Sequence, residues 1–204
     1  MSADAVPMPF VPALAPEEAA RARLYGLLAR LFYAPPDAAL LAALASGSAL
    51  DAATGTVALA WRELGRAAAQ ADPDAVREEY EALFVGTGKA PVTPYTTAYT
   101  LRYSSESPLA ELRNELQARG LARLEGIHEP EDHIAALLDV MRHLVSEDRA
   151  DLAVQKKFFE RWVERGANAL CIAIETAEVA VFYKAVARLA ARFLEIEHSA
   201  FEMI

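Results

Sequence analysis

Gly86-Thr87-Gly88-Lys89 has the residue types of a loop that cradles phosphate. Such a loop follows a strand, reads G-x-x-x-x-G-K-[ST], and opens a helix whose first N–H groups face the phosphates. With Gly88-Lys89 as the GK pair, the first glycine position holds Leu83, and the position of the Mg-binding hydroxyl holds Ala90. The preceding stretch, PDAVREEYEALF, has helical spacing at Val76, Tyr80, Leu83 and Phe84, and Pro91 and Pro94 prevent a helix from following. The segment therefore reads as a structured Gly/Pro loop.

A di-metal helical bundle would need Glu-x-x-His pairs on two helices. Glu125-Gly126-Ile127-His128 and Glu195-Ile196-Glu197-His198 have that spacing. Gly126 and Pro130 put the first in a loop, without a fixed i, i+3 projection, and the second falls near the C-terminus. Both read as exposed polar residues at helix ends. His143 falls off the apolar stripe and reads as solvated, as does Lys156-Lys157. No Ser/His/Asp arrangement is evident among the hydroxyls of TTAYTLRYSSES.

Glu129-Pro130-Glu131-Asp132-His133 is richer in chemistry. Proline suits a helix's first turn, and three acids complement the positive end of its dipole. The same arrangement would leave carboxylates, an imidazole and backbone donors together at an exposed end, suited to a peptide bearing guanidinium groups.

The elements that must position these residues are helical. After Pro16, Leu24, Leu27, Leu28, Leu31 and Phe32 form one stripe, stopped by Pro35-Pro36. Asp37 caps AALLAALA, TVALAWRELGRAAAQ follows, and Asp72-Pro73 opens a helix ending at Phe84. After an irregular centre from Val85 to about Glu106, Ser107-Pro108 opens LAELRNELQARG. HEPEDHIAALLDVMRHLVSED presents Ile134, Leu137, Leu138, Met141, Leu144 and Val145 inward, and LAVQKKFFERWVERG stops at Gly166. A long amphipathic helix closes the chain. TPYTTAYTLRY has strand-like residues but no partner strand. The prediction is an all-α fold: an arm over 1–15, and one helical domain over 16–204 with lobes of roughly 16–127 and 128–204.

The 204 residues carry 20 basic and 29 acidic side chains, a net charge of −9, which argues against general nucleic-acid or anionic-membrane binding. One cysteine, Cys171, excludes a disulfide framework or thiolate cluster and predicts a buried thiol in a reducing cytoplasm. The N-terminal MSADAVPMPFVPALAP lacks Lys and Arg and does not read as a signal peptide; no run reaches membrane-spanning length.

Helix-EYEALFVGTGKAPVTPY, followed by HEPEDHIAALLDVM, resembles the TorD/DmsD/NarJ family of redox-enzyme maturation chaperones. RARLYGLLARLFYAPP and FFERWVERGANAL…FYKAVARLAARFLEIE are similar to its opening and closing helices. Glu129, Pro130, Asp132 and His133 carry the most specific motif, and Gly86, Pro91, Pro94 and Tyr95 the loop motif. Thr87 stands where the family's loop has a first proline, and Thr96-Thr97 follow Tyr95 in place of Glu-Ser. The resemblance implies a bundle with a larger N-terminal and a smaller C-terminal lobe, hinged near E-P-x-D-H. It also implies a cytoplasmic, non-enzymatic chaperone, a monomer or dimer, with those eight residues contacting the client. The client would be the catalytic subunit of a molybdopterin oxidoreductase, held by its N-terminal leader, often twin-arginine, while the molybdenum cofactor is inserted. Weak guanine-nucleotide binding is the one small-molecule activity the resemblance attaches to GTGK. The alternatives are a di-metal bundle enzyme and a nucleotide-dependent regulator.

Overall fold

The computed structural model describes residues 13–47, 54–86, 90–100, 108–123, 126 and 129–204; these residues form helices and no strand. Helix α1 (Pro16–Tyr33) starts on a proline with Glu17 and Glu18 in its first turn, and ends before Pro35-Pro36. Asp37 caps α2 (Ala38–Ser46) by accepting from Leu40 N–H at 2.8 Å. Helix α3 covers Thr56–Gln70. Asp72 caps α4 (Pro73–Tyr80) through Asp74 and Ala75 N–H at 2.8 and 3.1 Å. The helix then widens into a π turn, Glu81–Val85. Gly86 ends it at φ 61°, where a Cβ would lie 3.0 Å from the Ala90 backbone, so only glycine lets the chain double back here.

One helical turn, α5 (Thr97–Thr100), precedes α6 (Pro108–Ala118) and α7 (Ile134–Ser146). Helix α8 (Leu152–Phe158), a π turn (Phe159–Val163) and α9 (Glu164–Thr176) follow without interruption, and α10 (Phe182–Phe201) closes the fold. Helix α1 lies along α7, α10 packs on α3 and α9, and α2 on α3. Tyr25, Leu28 and Leu31 of α1 meet Leu137, Met141 and Leu144 of α7 in one continuous core, which extends to Phe159, Leu170 and Leu189. Each such side chain stabilises the fold by roughly 1.5–3 kcal/mol through burial.

Three expectations from the sequence need correction. Gly166 does not stop a helix: α9 runs through it, because its missing side chain admits Thr96 of the central segment. The motif at 129–133 lies outside α7 rather than in its first turn, since His133 is the N-cap and the helix begins at Ile134. Glu197 is not exposed at a frayed end. It is buried, takes both Arg21 Nε and Nη2 at 2.7 Å and the Tyr25 hydroxyl at 2.7 Å, and so ties α10 to α1. Arg21 also reaches Gln155 Oε1 at 3.0 Å, which satisfies that amide.

A second long-range tie fixes the other end of α10. Glu79 of α4 accepts from the N–H groups of Val181, Phe182 and Tyr183 at 2.8, 2.9 and 2.8 Å. It supplies, from a hundred residues away, the acceptor that Val181 at the N-cap lacks.

Candidate functional site: a cleft at the start of helix α7

The central segment crosses the start of α7 and is bound to it through backbone. Ile134 N–H donates to Pro94 O at 2.9 Å, Thr96 N–H to Asp132 O at 3.0 Å, and Tyr95 and His133 form an antiparallel bridge. The strand-like TPYTT thus finds its partner in the motif rather than in another strand. Thr96 is held from the other side by Gly166, and its hydroxyl also donates to Asp132 O at 3.2 Å.

The side chains follow from this crossing. Asp132 and His133 are buried, not displayed at an exposed end. The Asp132 carboxylate receives the Thr97 hydroxyl. His133 Nδ1 accepts from Ala135 N–H at 3.2 Å, which caps α7. Burial pushes the His133 pKa below the ordinary imidazole value, against the opposing pull of Glu129 and Asp132. The Tyr95 ring meets the His133 ring edge to face at 5.6 Å, and its hydroxyl donates to Glu129 Oε2 at 2.5 Å. That bond to a carboxylate, with burial, pushes the Tyr95 phenol up to about 12. Glu131 receives Arg113 Nε at 2.8 Å and faces Arg123 at 3.7 Å. Burial would raise its pKa, but its own backbone N–H and these two arginines hold it below the usual carboxylate value.

In front of this crossing lies a cleft of about 490 Å³ between α1, the end of α6 and α7. Its floor is apolar, built from Ala29, Leu116, Leu121, Ala135, Ala136 and Val140. Arg142 lies across Gly26, where a Cβ would meet its Cδ at 3.0 Å, and is held by Asp139 at 2.6 Å and Glu147 at 2.8 Å. Of the eight residues singled out from the sequence, Glu129, Pro130 and His133 line the cleft. Gly86, Pro91, Pro94, Tyr95 and Asp132 do not line it; Tyr95 braces the wall through Glu129 and His133 instead of forming it.

The α1 face escaped the sequence reading, although Gly26, Ala29, Arg30 and Tyr33 stand at i, i+3, i+4 and i+7, as do Ala136, Asp139, Val140 and His143 on α7. Two such faces on packed helices were the available signal. His143 is a half-buried wall residue at 3.2 Å from Glu147, not a solvated one.

The family model described as nitrate reductase delta subunit matches residues 50–167, more than half of the chain. The chain belongs to that family. The match confirms the TorD/DmsD/NarJ-type resemblance and covers the α6–α7 side of the cleft, the Gly/Pro loop and the E-P-x-D-H motif. A search of curated proteins gives no match. As a member of this chaperone family it has the all-α fold the helical stripes predicted.

Among the described residues no group of three or more His, Cys, Asp and Glu side chains converges to hold a metal, and no helix is long and apolar enough to cross a membrane. His198 of the second Glu-x-x-His pair engages Glu164 at 2.7 Å. Glu125 and His128 of the first pair, and Thr87, Gly88 and Lys89 of GTGK, lie outside the described residues, as do residues 1–12 of the N-terminal arm. Cys171 is buried, and burial pushes its thiol up to about 12.

Proposed function

We propose that the cleft between α1, α6 and α7 binds the N-terminal leader of a molybdopterin oxidoreductase catalytic subunit and holds it in the cytoplasm until the molybdenum cofactor is inserted. The observation that carries this reading is the cleft itself: an apolar floor, backed by the family's motif residues, on a chain of a maturation-chaperone family. An apolar floor with a few polar groups at its rim is the usual form of a peptide groove. Glu131 and Asp139 are already engaged by arginines, whereas among the described residues Glu129 engages one carboxylate oxygen, for Tyr95. Glu129 is therefore the acid open to a basic leader residue, and the apolar part of the leader covers the floor. In this reading the chain works by binding alone, without catalysis or a cofactor of its own.

The test titrates the N-terminal leader of a molybdopterin oxidoreductase catalytic subunit calorimetrically into the full chain. Ala136 is exposed on the floor, so Ala136→Trp fills the cleft without disturbing the core. Saturable binding that falls at least about tenfold in Ala136→Trp supports the reading. Undiminished binding to the filled cleft overturns it.

A further inference from the structure

Helix α6 is a wall of the cleft, yet it is shallowly embedded. With the residues after it, it supplies Leu116, Leu121 and Arg123 to the lining. Two of its eleven residues, Leu112 and Leu116, are buried, against seven of thirteen in α7. Among the described residues no helix lies along it as α7 lies along α1. Polar contacts fasten it instead. Glu115 accepts the Trp162 indole N–H at 2.8 Å, stands 3.8 Å from Arg161, and takes Arg119 at 3.4 Å. Glu111 pairs with the same Arg161, whose guanidinium lies over the Trp162 ring at 4.7 Å. Arg161 and Trp162 belong to the π turn between α8 and α9, away from the cleft. Arg161 is 45% and Glu111 36% exposed, so salt screens their attraction. The docked position also carries a flaw: Arg119 Nε is sealed from solvent without a hydrogen-bond partner among the described residues.

From this arrangement we infer that α6, with Leu121–Arg123, is a movable wall of the cleft and that Glu115 is its latch. Glu115 does not line the cleft, so it is a positioning residue that acts through α6. The residues after α6 move with it, because Gly120 at φ 72° turns the chain and Leu121 N–H returns to Leu116 O at 2.9 Å. Anchoring by two leucines, polar fastening and a donor that undocking would return to water place this opening among the least costly motions of the fold. With the latch closed, the cleft holds about 490 Å³. With it open, Leu116 and Leu121 draw away from Ala29 and Ala136, and the floor can be reached from the side. The movement belongs to the wall whatever the cleft holds; that the occupant is a peptide rests on the reading above.

The test is hydrogen exchange of the full chain followed by mass spectrometry, first without ligand. Amides of 109–118 should exchange at least about tenfold faster than those of α7, and faster still in about 1 M sodium chloride. Glu115→Ala should accelerate α6 by a further factor of about ten, leaving α7, α10 and the melting temperature nearly unchanged. Glu115→Gln keeps an acceptor for the Trp162 indole and should fall in between. Arg161→Gln opens the latch from the other side and should match Glu115→Ala. A synthetic peptide of two arginines followed by twelve alternating leucines and alanines should slow α6 exchange, and should dissociate about tenfold faster from Glu115→Ala than from wild type. Exchange of α6 as slow as that of α7, and indifferent to both substitutions, would show a fixed wall and overturn the inference. Acceleration shared by α7 and α10 would overturn it too, by reducing Glu115 to a general stabiliser. A peptide that binds without changing α6 exchange would refute the wall's role and leave the peptide reading intact. A peptide that does not bind would count against that reading, while exchange in the free chain still decides the latch.

Discussion

Gly166→Ala should be one of the most damaging single-methyl changes in this protein, and its effect should be felt at the cleft. A Cβ at Gly166 would stand 2.4 Å from Thr96 Cβ and 3.0 Å from both Thr96 Cα and Cγ2. None of these atoms is the tip of a flexible side chain, so either α9 or the central segment must move. Overpacking of this kind costs about 1–3 kcal/mol. If Thr96 yields, its N–H and hydroxyl bonds to Asp132 O go as well, at about 1 kcal/mol each. Replacing glycine inside a helix returns about 1 kcal/mol. The balance is a net loss of roughly 2–4 kcal/mol, which for a chain of this length lowers the melting temperature by about 5–15 °C. Thermal unfolding followed by circular dichroism measures it. Thr96→Gly removes the opposing Cβ, so the double variant should be less destabilised than the sum of the two singles. A Gly166→Ala protein that melts at or above the wild-type temperature would refute the packing of α9 against the central segment.

Glu197→Ala leaves Arg21 without its bidentate partner and should cost about 3–5 kcal/mol, read by urea denaturation; Arg21→Met with Glu197→Leu should recover only part of it, because the buried Tyr25 hydroxyl and Gln155 Oε1 lose these partners. Because the folded pKa of His133 is depressed, the stability it contributes is present above the ordinary imidazole value of about 6.5 and is lost as pH falls through the lower folded value. Glu129 and Asp132 oppose the shift and the neutral Tyr95 phenol packs on the ring, so the fall in melting temperature between pH about 7.5 and about 5 should be smaller in His133→Asn than in wild type. Equal slopes would show that His133 does not titrate with unfolding. The Cys171 thiol, raised to about 12, should react with a thiol reagent at pH about 8 only at the rate of unfolding.

The helices were legible because their signals are local. Apolar stripes at helical spacing, Asp37 and Asp72 before them, and Pro16 and Pro73 at their starts lie within a few residues of what they determine. The crossing of the central segment over 129–133 was legible only in part. His133 stands one residue before the inward stripe that opens at Ile134, which places it at the edge of the core, and Ile134 N–H donates to Pro94 O. Its depth was not indicated, because burial of Asp132 depends on Thr97, thirty-five residues away, and that pairing has no spacing rule. The same limit hid Gly166, whose composition reads as a helix stop until Thr96 is seen against it. The cleft's α1 wall was missed because Gly26 and Ala29 look like mere gaps in an apolar stripe; they become a floor only once α7 is laid alongside.

The two ties on α10 also order events during synthesis. Arg21 cannot meet Glu197 until 176 more residues have been made, and Glu79 must wait about a hundred for the N-terminus of α10. Helix α1 likewise waits for α7. Contacts so distant in sequence close slowly, and until they close the inner face of α1 stays open to other apolar segments. On the ribosome this chain therefore passes through a state in which one apolar face has no partner. Weakening either tie should then lower the yield of folded protein on synthesis at high temperature more than the equilibrium loss of stability alone predicts.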